Sequence, residues 1–382
     1  MIQRIIYIIA ALIFFMPEII AQKTKAISLQ WKVAGTLPAR SGEAKALGVA
    51  GPVAGVHNNV LLVAGGANFP GAMPWNGGKK KYYNDVYVFK NACDSIVHHK
   101  TLSLPFSTGY AAVCSTPQGI VVAGGENENG LTDKVFLLHW IAAKENISLE
   151  DLPRLPFAVT NASAVVHNNK IYLAGGERAA DVSADLLVLD LNNPSSGWQK
   201  LTTLPKPVSH TVMVVQQNGD KPIIYLLGGR KRNPGSTSDL YASVLRYNIK
   251  TNKWSEGEKL PYALSAGTGM AIGNNLLLFG GDAGETFNKA ENLIAAISKE
   301  TDEEKKKVLN AEKINVQASH PGFCRQVFLY NTEKKKWQKL DCLPFELPVT
   351  TTAVQWNGNV VIPSGEIKAG VRTPHILMGK FN

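Results

Sequence analysis

Two residues of opposite charge near the C-terminus have the types and spacing that acid–base chemistry on a small anion requires. In Ser364-Gly365-Glu366-Ile367-Lys368-Ala369-Gly370-Val371-Arg372-Thr373 a carboxylate and a guanidinium stand six residues apart across one tight turn. A glutamate at a strand end, facing an enclosed mouth, has its carboxyl pushed upward by desolvation and can act as a base near neutral pH. The planar fork of Arg372 offers paired donors for a substrate carboxylate. The same pair can equally be an ion pair that fastens its own loop, and residue types alone leave the two readings even. Further polar residues follow other apolar strands: Asn68, Glu126, Glu177 with Arg178, Arg230 and Asp282. Singly, each reads as a solvated loop residue. Converging on one mouth, this mixture of carboxylates and arginines suits a polar, anionic small molecule.

Other chemistries find less support. The eight histidines are dispersed, His98 and His99 point to opposite faces of a strand, and no C-x-x-C occurs, so no metal site or cofactor is expected. The H-E-x-x-H and G-x-S-x-G motifs are missing, as is a Gly-rich loop opening a helix.

The elements that position these residues repeat. LLVAGG (Leu61–Gly66), IVVAGG (Ile120–Gly125), IYLAGG (Ile171–Gly176), IYLLGG (Ile224–Gly229) and LLLFGG (Leu276–Gly281) are followed by a degenerate VVIPSG (Val360–Gly365). A diglycine strand recurring at a period of about fifty is the kelch propeller signature. Asn- and Gly-rich turns precede these strands, as at His57-Asn58-Asn59, His167-Asn168-Asn169, Asn218-Gly219-Asp220, Gly273-Asn274-Asn275 and Asn357-Gly358-Asn359, where positive φ suits a tight hairpin. A Trp then opens the outer strand at Trp198, Trp254 and Trp337, and a Leu-Pro step starts the next unit at Pro105, Pro205, Pro261 and Pro344. Each four-stranded blade leaves an apolar face that only a neighbour can bury, so the pattern predicts an all-β, six-bladed propeller. Trp31–Pro38 reads as an outer strand without a blade and His375–Phe381 as a strand without an outer partner; their pairing closes the ring. The longer interval before the last repeat carries a helical insertion in the fifth blade, about 283–322, with capping-box spacing at Thr301-Asp302-Glu303-Glu304. It can wall or lid the mouth, or be a surface excursion.

Composition bounds the rest. With 382 residues, 45% hydrophobic and 18% charged, the chain is far too apolar for a disordered protein. The net charge of +10 is scattered rather than clustered, which argues against nucleic acid as a partner. Arg4 followed by the apolar run Ile5–Met16 and the break at Pro17 predicts a signal peptide over residues 1–21, leaving 22–382 as one propeller domain. No later run is long enough to span a membrane. Export permits disulfides, but Cys93, Cys114, Cys324 and Cys342 allow three pairings and sequence does not choose among them. Nothing in the sequence points to an oligomeric state.

GGANFPG (Gly65–Gly71), GGKKKYYNDVYVF (Gly77–Phe89), the GETFN of the blade-five insertion and SGEIKAGVRT together resemble the bacterial sialic acid mutarotases, the N-acetylneuraminate epimerases. The Gly-Glu-x-Lys-x-Gly-x-Arg-Thr loop lies in the last blade rather than mid-chain, so the resemblance is to a cyclically permuted subgroup. It implies a periplasmic, cofactor-free isomerase acting on the α and β anomers of N-acetylneuraminate. Glu366 would be the proton acceptor and Arg372 would hold or orient the sugar carboxylate. The competing expectation is a non-catalytic carbohydrate-binding propeller serving sialic acid or glycan utilisation.

Overall fold

The computed structural model describes residues 27–218 and 221–382; the segment read as a signal peptide lies outside them. Among these residues, six antiparallel four-stranded sheets form the blades of a β-propeller. Blade one is Val53–His57, Val60–Ala64, Asp85–Ala92 and Ser95–Ser103, and the other five repeat its order. The first strand of each blade lines the central channel, where Ala54, Val113, Val165, Val214, Met270 and Val354 face one another.

Strand alternation divides each blade between two neighbours. Leu61 and Val63 pack toward blade six, whereas Leu62 and Ala64 pack toward blade two. Six such cores separate the six blades. The hairpin turns behave as their residues dictate: Asn58 and Asn59 hold φ of 47° and 61°, and Asn168 and Asn169 hold 49° and 56°. The turn at 219–220 lies outside the described residues.

Blade six closes the ring. Leu29–Thr36 pairs with His375–Phe381, Leu29 opposite Phe381 and Trp31 opposite Gly379. The Trp31 ring lies where a Cβ on Gly379 would stand 3.0 Å from it, and its edge meets Phe279 of blade five at 5.5 Å.

The insertion is a helical pair, α1 (Glu285–Lys299) and α2 (Glu303–Ala318). Asp302, one residue beyond the threonine expected as N-cap, accepts from the Glu304 and Lys305 amides. A carboxylate at that point also favours the positive end of the helix dipole. Glu291 of α1 accepts from the Ser238 amide at 2.7 Å and its hydroxyl at 2.8 Å, tying the pair to blade four. No described helix is long and apolar enough to cross a membrane, and the four cysteines form no disulfide.

A second ring of contacts closes at the centre. Gly51, Tyr110, Asn161, His210, Ala266 and Thr350 all adopt left-handed backbone, with φ between 50° and 61°. Each donates its amide to the carbonyl of the one before: Tyr110 to Gly51, Asn161 to Tyr110, His210 to Asn161, Ala266 to His210, Thr350 to Ala266, and Gly51 back to Thr350 at 2.7 Å. This cycle satisfies backbone groups that the channel would otherwise bury unpaired. It also turns one side chain toward the mouth in every blade but the first, where the residue is Gly51.

Candidate active site

At the end of every second strand two left-handed residues turn the chain toward the mouth. The first glycine is obligatory in blade three: a Cβ on Gly175 would stand 2.0 Å from the Val208 carbonyl oxygen. Blade six uses Ser364 instead, at φ 56°. Its buried hydroxyl accepts the Val49 amide at 2.9 Å and lies 2.9 and 2.7 Å from the Val49 and Thr373 carbonyls.

The next residue in each blade forms a single antiparallel bridge with its own lead-in segment. The equivalent positions are Ala67, Glu126, Glu177, Arg230, Asp282 and Glu366. Five of the six are polar, and these five line one cavity of about 450 Å³. Tyr110, Asn161, His210, Ala266 and Thr350 form its floor; Phe69, Trp75 and Lys80 come from blade one, and Phe287, Gln317, His320 and Phe323 from the insertion. The insertion is therefore a wall of the cavity.

Two residues expected at the mouth are turned away from it. Asn68 is one position past the bridge and 2% exposed; it donates to the Gly48 carbonyl at 2.8 Å and accepts from the Tyr83 hydroxyl at 2.7 Å. Arg178 makes a bidentate pair with Asp181 at 2.6 Å on the outer surface.

Glu366 stands directly opposite Arg372 in a two-stranded ribbon, so both side chains rise from one face. Its Oε1 lies 3.5 Å from Arg372 Nη1 and accepts the Gly370 amide at 2.9 Å. Desolvation pushes the Glu366 carboxyl above the ordinary range, opposed by Arg372, the Gly370 amide and Lys80 and reinforced by Asp282. The Arg372 side chain is 4% exposed and stacks 4.9 Å over Phe69, yet its Nε and Nη1 have no hydrogen-bond partner among the described residues. Both atoms are themselves buried, and the guanidinium lines the cavity beside the Glu366 carboxylate.

Two further charge groups flank this pair. Glu126 takes the Tyr82 hydroxyl at 2.6 Å and Lys80 at 3.1 Å, and burial with the Glu126 contact pushes Tyr82 up to about 12. Across the mouth, Arg230 stacks 4.5 Å over Phe287 and lies 3.6 Å from Glu177. Arg230 also reaches His210 Nε2 at 3.3 Å; burial and then this cation hold His210 well below its usual value, so it stays neutral. Among the described residues no group of three or more His, Cys, Asp or Glu side chains is placed to hold a metal ion.

The sequence profile of the N-acetylneuraminate epimerase family matches residues 16–147 and 152–382. The chain belongs to that family. Among curated members, the N-acetylneuraminate epimerase of Salmonella typhimurium strain LT2 is 25% identical over 225 residues, covering 58% of this chain and 56% of that one. The Brucella melitensis biotype 1 protein of the same name is 28% identical over 237 residues, covering 61% and 59%. That of Haemophilus influenzae strain PittEE is 24% identical over 235 residues, covering 60% and 59%. The aligned part thus spans under two thirds of these relatives' length.

Sequence reading did not single out Tyr110, His210, Lys80, Phe69 or Phe287 for the site. A signal existed for the floor: Tyr110, Asn161, His210 and Ala266 each lie five residues after the proline of a Leu-Pro step.

Proposed function

We propose that this propeller is an exported isomerase that interconverts the α and β anomers of N-acetylneuraminate. The observation that carries the reading is Glu366 3.5 Å from a buried Arg372, with both residues lining one cavity. In a 2-keto sugar acid the carboxylate is attached to the anomeric carbon itself. A guanidinium holding that carboxylate therefore sets the anomeric hydroxyl beside any base near the guanidinium, and Glu366 is that base. Glu366 takes the hydroxyl proton while the bond from the anomeric carbon to the ring oxygen breaks, leaving an open-chain keto acid. Rotation about the adjacent carbon–carbon bond presents the other carbonyl face, and the reverse steps close the second anomer. Arg230 with Phe287 and the Lys80–Glu126 pair supply polar and stacking contacts for the remaining substituents. The family's printed name, the fold and the chemistry of the cavity support this reading, and the Arg4 and Ile5–Met16 pattern supports export to the periplasm.

The test is proton NMR of freshly dissolved, unequilibrated N-acetylneuraminate with wild type and Glu366→Gln, at constant pH. Faster anomer exchange with wild type, and loss of about a hundredfold or more in Glu366→Gln, is the expected result. Saturable sugar binding with no acceleration would instead leave a carbohydrate-binding propeller.

A further inference from the structure

Ring opening needs two proton movements, and Glu366 supplies one. The ring oxygen must gain a proton as its bond to the anomeric carbon breaks, and because it shares that carbon with the hydroxyl, a donor has to face the cavity close to Glu366 and Arg372. The other titratable groups facing the cavity are engaged elsewhere. Lys80 is held on Glu126, His210 accepts from Arg230, Asp282 accepts the Gly284 amide at 2.8 Å, and His320 Nδ1 accepts the Gly322 amide at 3.0 Å.

We propose that Tyr110 is the proton donor to the sugar ring oxygen, held in place by Gly51. This rests on the mutarotase reading above. Tyr110 belongs to the left-handed floor ring, where its backbone bonds both Gly51 and Asn161. Its phenol ring lies across Gly51 so closely that a Cβ there would fall 2.5 Å from Tyr110 Cδ1 and 2.6 Å from Cγ. Gly51 in turn bonds Thr350 of the blade-six lead-in. The ring therefore leans from blade two across blade one toward blade six, where Glu366 and Arg372 stand. Lys80 Nζ lies over the same ring, 4.9 Å from its centroid. Phenol, carboxylate and guanidinium thus border one cavity.

The surroundings suit a donor. Burial pushes the Tyr110 hydroxyl up, Lys80 and Arg372 pull it back, and Glu366 pushes it further, so it remains protonated near neutral pH. The two cations also stabilise the phenolate that forms when the proton leaves. Atoms balance: the anomeric hydroxyl proton goes to Glu366, the ring-bond electron pair stays on the ring oxygen, and that oxygen takes the Tyr110 proton. Closure on the other face returns both protons.

The experiment measures kcat, KM and their pH dependence for N-acetylneuraminate exchange in wild type, Tyr110→Phe, Gly51→Ala and protein carrying 3-fluorotyrosine at position 110. Tyr110→Phe is expected to lose about a hundredfold or more in kcat with KM changed by less than about threefold, the usual size of a general-acid contribution. Gly51→Ala displaces the ring and is expected to lower kcat in the same sense. The more acidic fluorophenol is expected to move the alkaline limb of kcat to lower pH, which a purely structural tyrosine would not do. An active wild type with Tyr110→Phe retaining more than about a third of kcat, or a limb unmoved by the fluorophenol, overturns the assignment of Tyr110 alone. A wild type that does not accelerate exchange overturns the mutarotase reading and this one with it.

Discussion

Ser364 is the single residue that replaces a diglycine glycine, and removing its hydroxyl should be costly. Both Ser364 and Val49 are fully buried, so no water replaces what the hydroxyl supplies. In Ser364→Ala the Val49 amide and the Thr373 carbonyl lose this partner. An orphaned buried backbone group costs about 1–3 kcal/mol, and the Val49 carbonyl keeps its bond from Gly365. The expected total is about 2–4 kcal/mol, since the alanine still sits at a left-handed φ that serine also tolerated. At about 2 °C per kcal/mol for a domain of this size, Tm falls by about 4–8 °C. Ser364→Gly loses the same bonds but recovers about 1 kcal/mol of left-handed strain, so it should lie between alanine and wild type. Calorimetry at matched scan rate, backed by urea titration, orders the three. An alanine variant within about 0.5 kcal/mol of wild type, or a glycine variant below alanine, would refute the reasoning.

The pH dependence of exchange should show an acid limb above the ordinary carboxylate range, because only ionised Glu366 accepts a proton and burial raises its value. Lys80→Met removes a cation that opposes that rise and should move the limb to higher pH, whereas Asp282→Asn should move it lower; pH–rate profiles check both. Gly175→Ala drives a methyl into the Val208 carbonyl at φ 66° and is expected to cost more than about 3 kcal/mol. Gly235→Ala, at φ 71° with nothing within 4 Å, should cost about 1 kcal/mol, so paired urea titrations isolate the clash from the strain. Glu291→Ala cuts both ties from α1 to Ser238 and should raise KM several-fold and speed proteolytic cleavage between the helices, with the thermal transition of the blades little changed.

The fold was legible because its signals are backbone signals. A second strand that ends in two left-handed residues needs glycine where a carbonyl of the next blade crowds it, and so the Gly pairs marked the blades. Trp31 and His375–Phe381 marked the closure because each was half of a pairing the repeat requires. The same phase located Glu126, Glu177, Arg230, Asp282 and Glu366 as the residues that follow the pair. It failed by one position in blade one, where the bridge residue is Ala67 and its polar neighbour Asn68 turns inward to Tyr83. Arg178 fails for the same reason, one step past Glu177. The floor was hidden for a different reason: Gly51, Tyr110, Asn161, His210, Ala266 and Thr350 share a backbone twist and no side-chain type. Contacts between blades, such as Lys80 on Glu126, have no spacing in the sequence at all.

What distinguishes the site from the scaffold is where the repetition breaks. A mouth with true six-fold symmetry would present six identical walls, and no single orientation of an asymmetric sugar acid would be preferred over the others. Here three of four breaks adjoin one another. Serine replaces glycine at 364, alanine replaces a polar residue at 67, glycine replaces a side chain at 51, and the helical pair rises from blade five. The first three lie around the seam between blades six and one, where Glu366 and Arg372 stand and over which Tyr110 leans. The fourth supplies the opposite wall through Phe287 and its stacked Arg230. Each break removes bulk or adds a polar group on one side only, and local rules are expected to fail at a site that must bind in one orientation. The irregularity of this seam therefore gives the cavity a direction, while the ring itself is closed by the pairing of Leu29–Thr36 with His375–Phe381 inside blade six.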